Sequence, residues 1–483
     1  MPDTPLSHWT EMEIAIEARE VDQPGILYAR GFLLVPCDTS PPDSLRGWEK
    51  HPISGYDVYV DPRVNVEKVA VGGREAILVG DAFDPYAGVY SGVCRYLVQG
   101  DVFERLDTVA GRFVLLVASA DGVDVFHDAM GSRSIYYAKK GGVVASHAAL
   151  VAEVMGAELR EWVIPYITAK NYVRMDVKYL PGLDSPFESV RQLTPNTYLS
   201  LPGMEVRRYW PRTELERASR EEAVGSLVQY LGGLRIFLEG RGIKPVLGMS
   251  GGRDSRGLLS ALVPLQPSLF TFVRSKDGKS DRSTDSLIAA QLASTTGLDL
   301  EIVKIPAPTP LNHLVDGFAV AYRRNTGYVR GSGTLGWVRK VQGRYGLDAR
   351  FIRGFGGEVM RGFYNRIDEI DASALAMKYG VNPDALYTKR AFEEFIRVAG
   401  WTKEALMNYA LNDLFYWEHR MGVWGASSLA ESDMSVATIP GYNSRKLFST
   451  FMGLPSELRA TSELFDEAVR LFSPCLAGIP YES

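Results

Sequence analysis

The chain has 483 residues, 46% of them hydrophobic, and a formal net charge of −5. That length predicts two or three domains, each able to bury a core. The near balance of 53 basic and 58 acidic residues argues against a dedicated nucleic-acid binder. Cys37, Cys94 and Cys475 are scattered and make neither a disulfide framework nor a zinc pattern, so the expected compartment is reducing cytoplasm. The opening Met1-Pro-Asp-Thr-Pro lacks the basic and apolar regions of a signal peptide. No apolar run is long enough to span a membrane.

In chain order, the first two hundred residues read as β-rich. Strands are expected at Gly25 to Val35, Val58 to Val60, Ala76 to Gly80, Gly111 to Ala118, Gly122 to His127, Ile135 to Tyr137 and Val143 to Ser146. Asp121-Gly122 and Gly141-Gly142 signal hairpins. Ala148 to Met155 is predicted helical, and the polar Pro211 to Arg220 reads as a linker into a helix over Glu221 to Leu238. From there strands and helices alternate. Strands fall at Pro245 to Met249, Ser268 to Val273 and Leu300 to Ile305, with a helix over Asp285 to Thr295. Alternation of this kind implies a doubly wound parallel sheet, whose ligands sit at the carboxyl ends of the strands.

One stretch organises that second half: Pro245-Val-Leu-Gly-Met-Ser-Gly-Gly-Arg-Asp-Ser-Arg256. It reads as a buried strand ending at Met249, a turn from Ser250 to Ser255, and a helix from Arg256 to Val263. Gly251 and Gly252 would let the backbone approach a ligand and adopt angles closed to other residues. The free N–H groups at the helix start, with the hydroxyls of Ser250 and Ser255, make an anion site. Asp254 would repel an anion unless a divalent cation stands between carboxylate and phosphates.

This stretch resembles the Ser-Gly-Gly-x-Asp-Ser pyrophosphatase loop of enzymes that cleave ATP to AMP and pyrophosphate. The resemblance widens to class B asparagine synthetases and β-lactam synthetases. Gly111-Arg-Phe, Asp128-Ala-Met-Gly-Ser-Arg-Ser-Ile-Tyr-Tyr137 and Val190-Arg-Gln-Leu-Thr-Pro-Asn196 resemble their N-terminal glutaminase-like domain. Phe351-Ile-Arg-Gly-Phe-Gly-Gly-Glu-Val-Met-Arg-Gly362 resembles a second block in their synthetase domain. The resemblance implies an α/β fold in two parts. Residues 1–209 would be a glutaminase-like antiparallel sandwich between helices, and 215–483 a parallel-sheet ATP-binding domain with additional helices.

It also implies a ligase that adenylates a substrate carboxylate and lets an amine attack it, with ATP and Mg²⁺ as cofactors. On that match Asp254 and Glu358 hold the metal. Met249, Ser250, Gly251, Gly252, Asp254, Ser255, Val273 and Gly354 bind the nucleotide, with Val273 against adenine. The expected partners are a small-molecule or peptide carboxylate and an amine, with no nucleic acid and no membrane; the oligomeric state stays open, a homodimer included. Three departures bear on mechanism. Pro2 stands where the family's glutaminases expose a cysteine, which points to the branches that use an amine in place of ammonia, in natural-product biosynthesis. Phe355 stands where the family has a glutamate or tyrosine implicated in deprotonation, leaving Glu418 and His419 as candidate bases. No lysine follows Lys446, so Arg459, Arg470 or Lys446 would supply that charge, with Arg256 a further catalytic candidate. Alternative readings are a lasso-peptide-type macrolactam cyclase, an ammonia-dependent asparagine-synthetase-like enzyme, and a non-catalytic nucleotide-binding relative.

Overall fold

The computed structural model describes residues 25–175, 177–276, 279–280, 284–305, 316–331 and 333–481. Pro2 lies outside them. Twelve strands of the first half form two antiparallel sheets. The first contains β1 (Phe32–Pro36), β2 (Glu49–Ile53), β3 (Tyr56–Val60), β8 (Tyr136–Ala138), β9 (Val143–Ala145) and β10 (Val190–Gln192), in the order β10-β8-β9-β1-β3-β2. The second contains β4 (Val66–Val71), β5 (Arg74–Phe83), β6 (Ala110–Ser119), β7 (Gly122–His127), β11 (Thr197–Leu201) and β12 (Glu205–Arg208), in the order β12-β11-β7-β6-β5-β4.

Period-two alternation decides how these sheets pack. Phe32, Leu34, Val58, Ile77, Val79, Val114 and Leu116 point into the space between the sheets and are buried there together. Their neighbours Leu78, Phe113 and Leu115 face the other way, into a core shared with helices Val93–Val98 and Val102–Thr108. Helix Ala148–Met155 covers the outer face of the first sheet through Leu150 and Val151. The half is therefore a sandwich between helices, and both expected hairpins form, β6 with β7 and β8 with β9.

The expected strand from Gly25 begins only at Phe32. The preceding apolar residues turn away, with Tyr28 and Arg30 at φ of 50° and 54°. Asn325 holds this turn from the second half: its Oδ1 accepts the Tyr28 N–H at 2.6 Å and its Nδ2 donates to the Ile26 carbonyl at 2.7 Å. A contact nearly three hundred residues away overrides a local β pattern.

The second half is built on β13 (Lys244–Gly248), β14 (Ser268–Lys276), β15 (Lys279–Ser280), β16 (Leu300–Ile305), β17 (Ala349–Arg353) and β18 (Thr438–Pro440). The parallel strands lie in the order β16-β14-β13-β17-β18, with β15 antiparallel at the end of β14. Helices cover both faces. Val246, Phe270, Val303 and Phe351 pack on helices Gly317–Asn325 and Leu335–Val341. Leu247, Leu269 and Ile352 face the core shared with helices Arg220–Gly240, Arg253–Leu262 and Glu463–Phe472. Among the described residues, no helix is long and apolar enough to cross a membrane.

The halves are joined by buried polar contacts. Arg112 pairs with Asp433 at 2.6 Å and Arg350 with Asp81 at 2.7 Å. Asn443 is fully buried, its amide donating to the Gly111 carbonyl at 2.6 Å and to Asp128 at 2.9 Å while its Oδ1 accepts the Met130 N–H at 2.9 Å. Leaving such groups unpaired costs about 1–3 kcal/mol each. Asn443→Ala should therefore lower the unfolding free energy by on the order of 3 kcal/mol, read by urea denaturation. A loss below about 1 kcal/mol would show that these contacts do not hold the halves together.

Candidate functional site

The strand order locates a site before any side chain is considered. From β13 the chain moves outward to β14 and β16, then returns to place β17 on the other side of β13. That reversal leaves a crevice at the carboxyl ends of β13 and β17. The first motif leaves β13 and the second leaves β17, so two sequence-distant stretches meet there. A cavity of about 340 Å³ lies between them, lined by Met249, Ser250, Asp254 and Ser255 from the first and Gly354, Phe355 and Glu358 from the second.

The first motif departs from expectation in two ways. The helix starts at Arg253, three residues early, so Asp254 sits in its first turn, where a carboxylate meets the positive end of the helix dipole. Gly252 caps it at φ −80° and ψ 165°, an extended conformation open to any residue. Its value is the absence of a side chain, not an unusual angle. Ser250 shapes the turn by accepting the Gly252 N–H at 3.2 Å and meeting the Ser255 hydroxyl at 2.9 Å. The Gly251 N–H donates to Asp285, which also lines the cavity.

Asp254 and Glu358 share the crevice, and Asp254 adds to the cost of ionising Glu358. Burial, then Asp254, pushes the Glu358 carboxyl up to about 7. Burial raises Asp254 too, opposed by the Arg361 guanidinium that pairs with it. Glu358 Oε2 is a buried acceptor without a donor. Two coupled carboxylates with an orphaned oxygen suit a hard divalent cation shared with ligand oxygens. Among the described residues no group of three or more candidate ligands converges, so protein atoms alone would not complete a coordination shell.

Several candidates lie elsewhere. Val273 is buried but does not line the cavity; Phe270, Thr271 and Phe272 of the same strand do, with Trp337 and Thr334. Arg256 points to the far side of its helix, where it donates to the Ile479 and Pro480 carbonyls and lies 3.8 Å from the Tyr481 ring centroid. Glu418 is fully buried between Arg208 at 2.6 Å, Trp401 Nε1 at 2.7 Å and Asn196 at 2.8 Å. His419 accepts the Gly182 N–H at 3.1 Å, and burial followed by Arg420 drives its pKa down to about 3. Neither is a solvated helix face nor a base in the crevice. Arg459 is spent on Asp413 at 2.7 Å, and Lys446 and Arg470 are exposed on other helices. Among the described residues the cations that reach the crevice are Arg353, which lines it, and Arg361, through Asp254. Burial lowers Arg353 to about 10, and its guanidinium lies 4.2 Å from the Phe355 ring centroid.

No family model matches the chain, and no curated protein matches it. Solved structures that match include the glutamine phosphoribosylpyrophosphate amidotransferase from B. subtilis complexed with ADP and GMP. That alignment has 11% identity and a TM-score of 0.23, and covers 61% of this chain and 87% of the other. A likeness at that level adds nothing to the fold read from the strands.

Two outcomes follow. Glu358 ionises in the unfolded chain near its ordinary 4.5 but in the fold only near 7. Its contribution to stability is present below 4.5 and is lost as pH rises toward 7. In chelator, wild-type stability should fall across that window and Glu358→Gln should flatten the slope; parallel slopes in the two proteins would refute the coupling. Glu418→Ala should cost about 3–5 kcal/mol by stranding Arg208, measured by denaturation. Unchanged stability would return Glu418 to the list of reactive groups.

Proposed function

We propose that the chain is an AMP-forming carbon–nitrogen ligase that makes an amide or lactam, of the asparagine-synthetase and β-lactam-synthetase kind. The observation that carries this is the meeting of Ser250, Asp254 and Ser255 with Gly354 and Glu358 in one cavity at the strand-order reversal. On this reading residues 1–209 are a glutaminase-like domain without its nucleophile and 215–483 the synthetase domain. The sandwich between helices and the parallel sheet are compatible with it.

The reaction has two steps. A substrate carboxylate oxygen attacks the α-phosphorus of ATP; the bond to the β-phosphate oxygen breaks, and pyrophosphate leaves. An amine nitrogen then attacks the acyl carbon, the bond to the AMP oxygen breaks, and the nitrogen gives up a proton. Asp254 and Glu358 would hold Mg²⁺, which supplies charge neutralisation for the phosphates when bound. Ser250, Ser255 and the N–H groups of the first turn of the Arg253–Leu262 helix bind phosphate oxygens and orient the chain of phosphates. Arg361 and Arg353 place positive charge where negative charge develops. The parallel rings of Phe272 and Trp337, with planes 5° apart and centroids 6.5 Å apart, offer a stacking surface for the base in place of Val273. Phe355 cannot accept the proton. With Glu418 and His419 both locked in the core, Asp285, the cavity's carboxylate outside the metal pair, or bulk water would receive it. An amine arriving neutral would be spared the deprotonation before attack, though not the one that follows it.

Labelled pyrophosphate should exchange into ATP in the presence of Mg²⁺ and one carboxylate from a panel of amino acids and peptides. Asp254→Ala should lose at least about 100-fold of that rate. Binding of ATP with neither exchange nor AMP release, under any pairing of acid and amine, would reject the ligase and leave a nucleotide-binding relative.

A further inference from the structure

The molecule pairs its buried arginines carefully. Arg208, Arg330, Arg112 and Arg350 each hold a carboxylate at 2.6–2.9 Å. Arg133, Arg256, Arg353 and Arg445 donate to backbone carbonyls. Arg420, which is only partly buried, does neither. It stands on the π-helical stretch Tyr416–Gly425, a geometry met most often at functional sites. Its guanidinium lies 5.2 Å from the ring centroid of Phe363, 5.9 Å from Tyr364, 5.6 Å from Tyr416 and 5.4 Å from Trp424. Among the described residues its hydrogen-bond partner is the Tyr364 hydroxyl, at a long 3.4 Å, and no carboxylate pairs with it.

Rings attract a cation through their faces but supply no negative charge. Arg420 Nε and Trp424 Nε1 are both out of reach of solvent and both lack an acceptor. Buried donors are normally paired. Both are enclosed, so a ligand would meet the outer, partly exposed end of the guanidinium, which no carboxylate of the described residues covers. The cluster adjoins the cavity: the Trp424 ring lies 5.4 Å from that of Phe355, which lines the cavity together with Glu358. Phe363, 56% exposed, leaves an apolar ring face open beside the charge.

We propose that Arg420 binds a non-reacting carboxylate of a substrate whose apolar body lies against Phe363, that is, an amino acid or the C-terminus of a short peptide. This deepens the ligase reading and rests on it for the role of the bound molecule. A guanidinium matches the planar, singly charged carboxylate fork. A phosphate dianion would bring a second charge unmatched, close to Glu358. The site then selects which acid or amine is presented to the crevice.

The test is titration calorimetry on the full chain without ATP, using apolar amino acids and dipeptides against their carboxamides. At least one acid should bind tenfold or more tightly than its amide, and the free amino acid and dipeptide arms show which source fits. Arg420→Gln should erase that preference, and Arg420→Lys should keep part of it. Phe363→Ala, at an exposed ring, should weaken binding several-fold while leaving the preference intact. No acid-over-amide preference in the wild type, or the same preference in Arg420→Gln, overturns the proposal. Because nucleotide is absent, a failure of pyrophosphate exchange leaves the subsite standing. Exchange in full with no role for Arg420 would sink the subsite alone.

Discussion

The crevice depends on how closely two turns approach. The loop after β17 packs so tightly on the helix after β13 that a β-carbon on Gly357 would stand 2.2 Å from Asp254 Oδ1. Gly356 has φ +97°, and a β-carbon there would stand 1.8 Å from the Tyr442 carbonyl oxygen. Tyr442 in turn donates its hydroxyl to the Asp254 carbonyl at 2.8 Å. Three chain segments meet at one aspartate, and glycine is the residue that lets them. Two acidic groups could not be held this near each other by a looser pair of loops. The same approach that raises Glu358 is what makes the place attractive to a cation.

The parallel sheet was legible in the sequence because its strands are short apolar runs separated by helical periods. The first motif was legible as a strand, a glycine turn and a hydroxyl-rich helix start. What could not be read was direction. Arg256 lies two positions after Asp254, and a helix turns by about 200° over that interval, so the two side chains leave on opposite faces. Glu418 and His419 look reactive in a list of residue types; Arg208, Trp401 and the Gly182 N–H, all distant in sequence, make them parts of the core. Thr334 and Trp337 carry no motif and reach the cavity through the packing of their helix on the sheet. No local signal announces them.

Among the described residues the first half contributes no side chain to the cavity lining, yet it sets the second half in place. Its buried asparagine, arginine and aspartate contacts are directional, so they fix an orientation that apolar packing alone would leave loose. Asp128 shows the economy of this: one carboxylate accepts from Ser132, Arg133 and Asn443 and so ties its own turn to the neighbouring half.

The clamp on Arg256 has a consequence for the order of assembly. The helix that bears Asp254 is secured from behind by backbone oxygens more than two hundred residues downstream. Until Ile479 and Pro480 emerge from the ribosome, a fully charged guanidinium has no acceptor in the place the fold reserves for it. The helix that carries Asp254 therefore lacks its rear clamp until that segment has been synthesised.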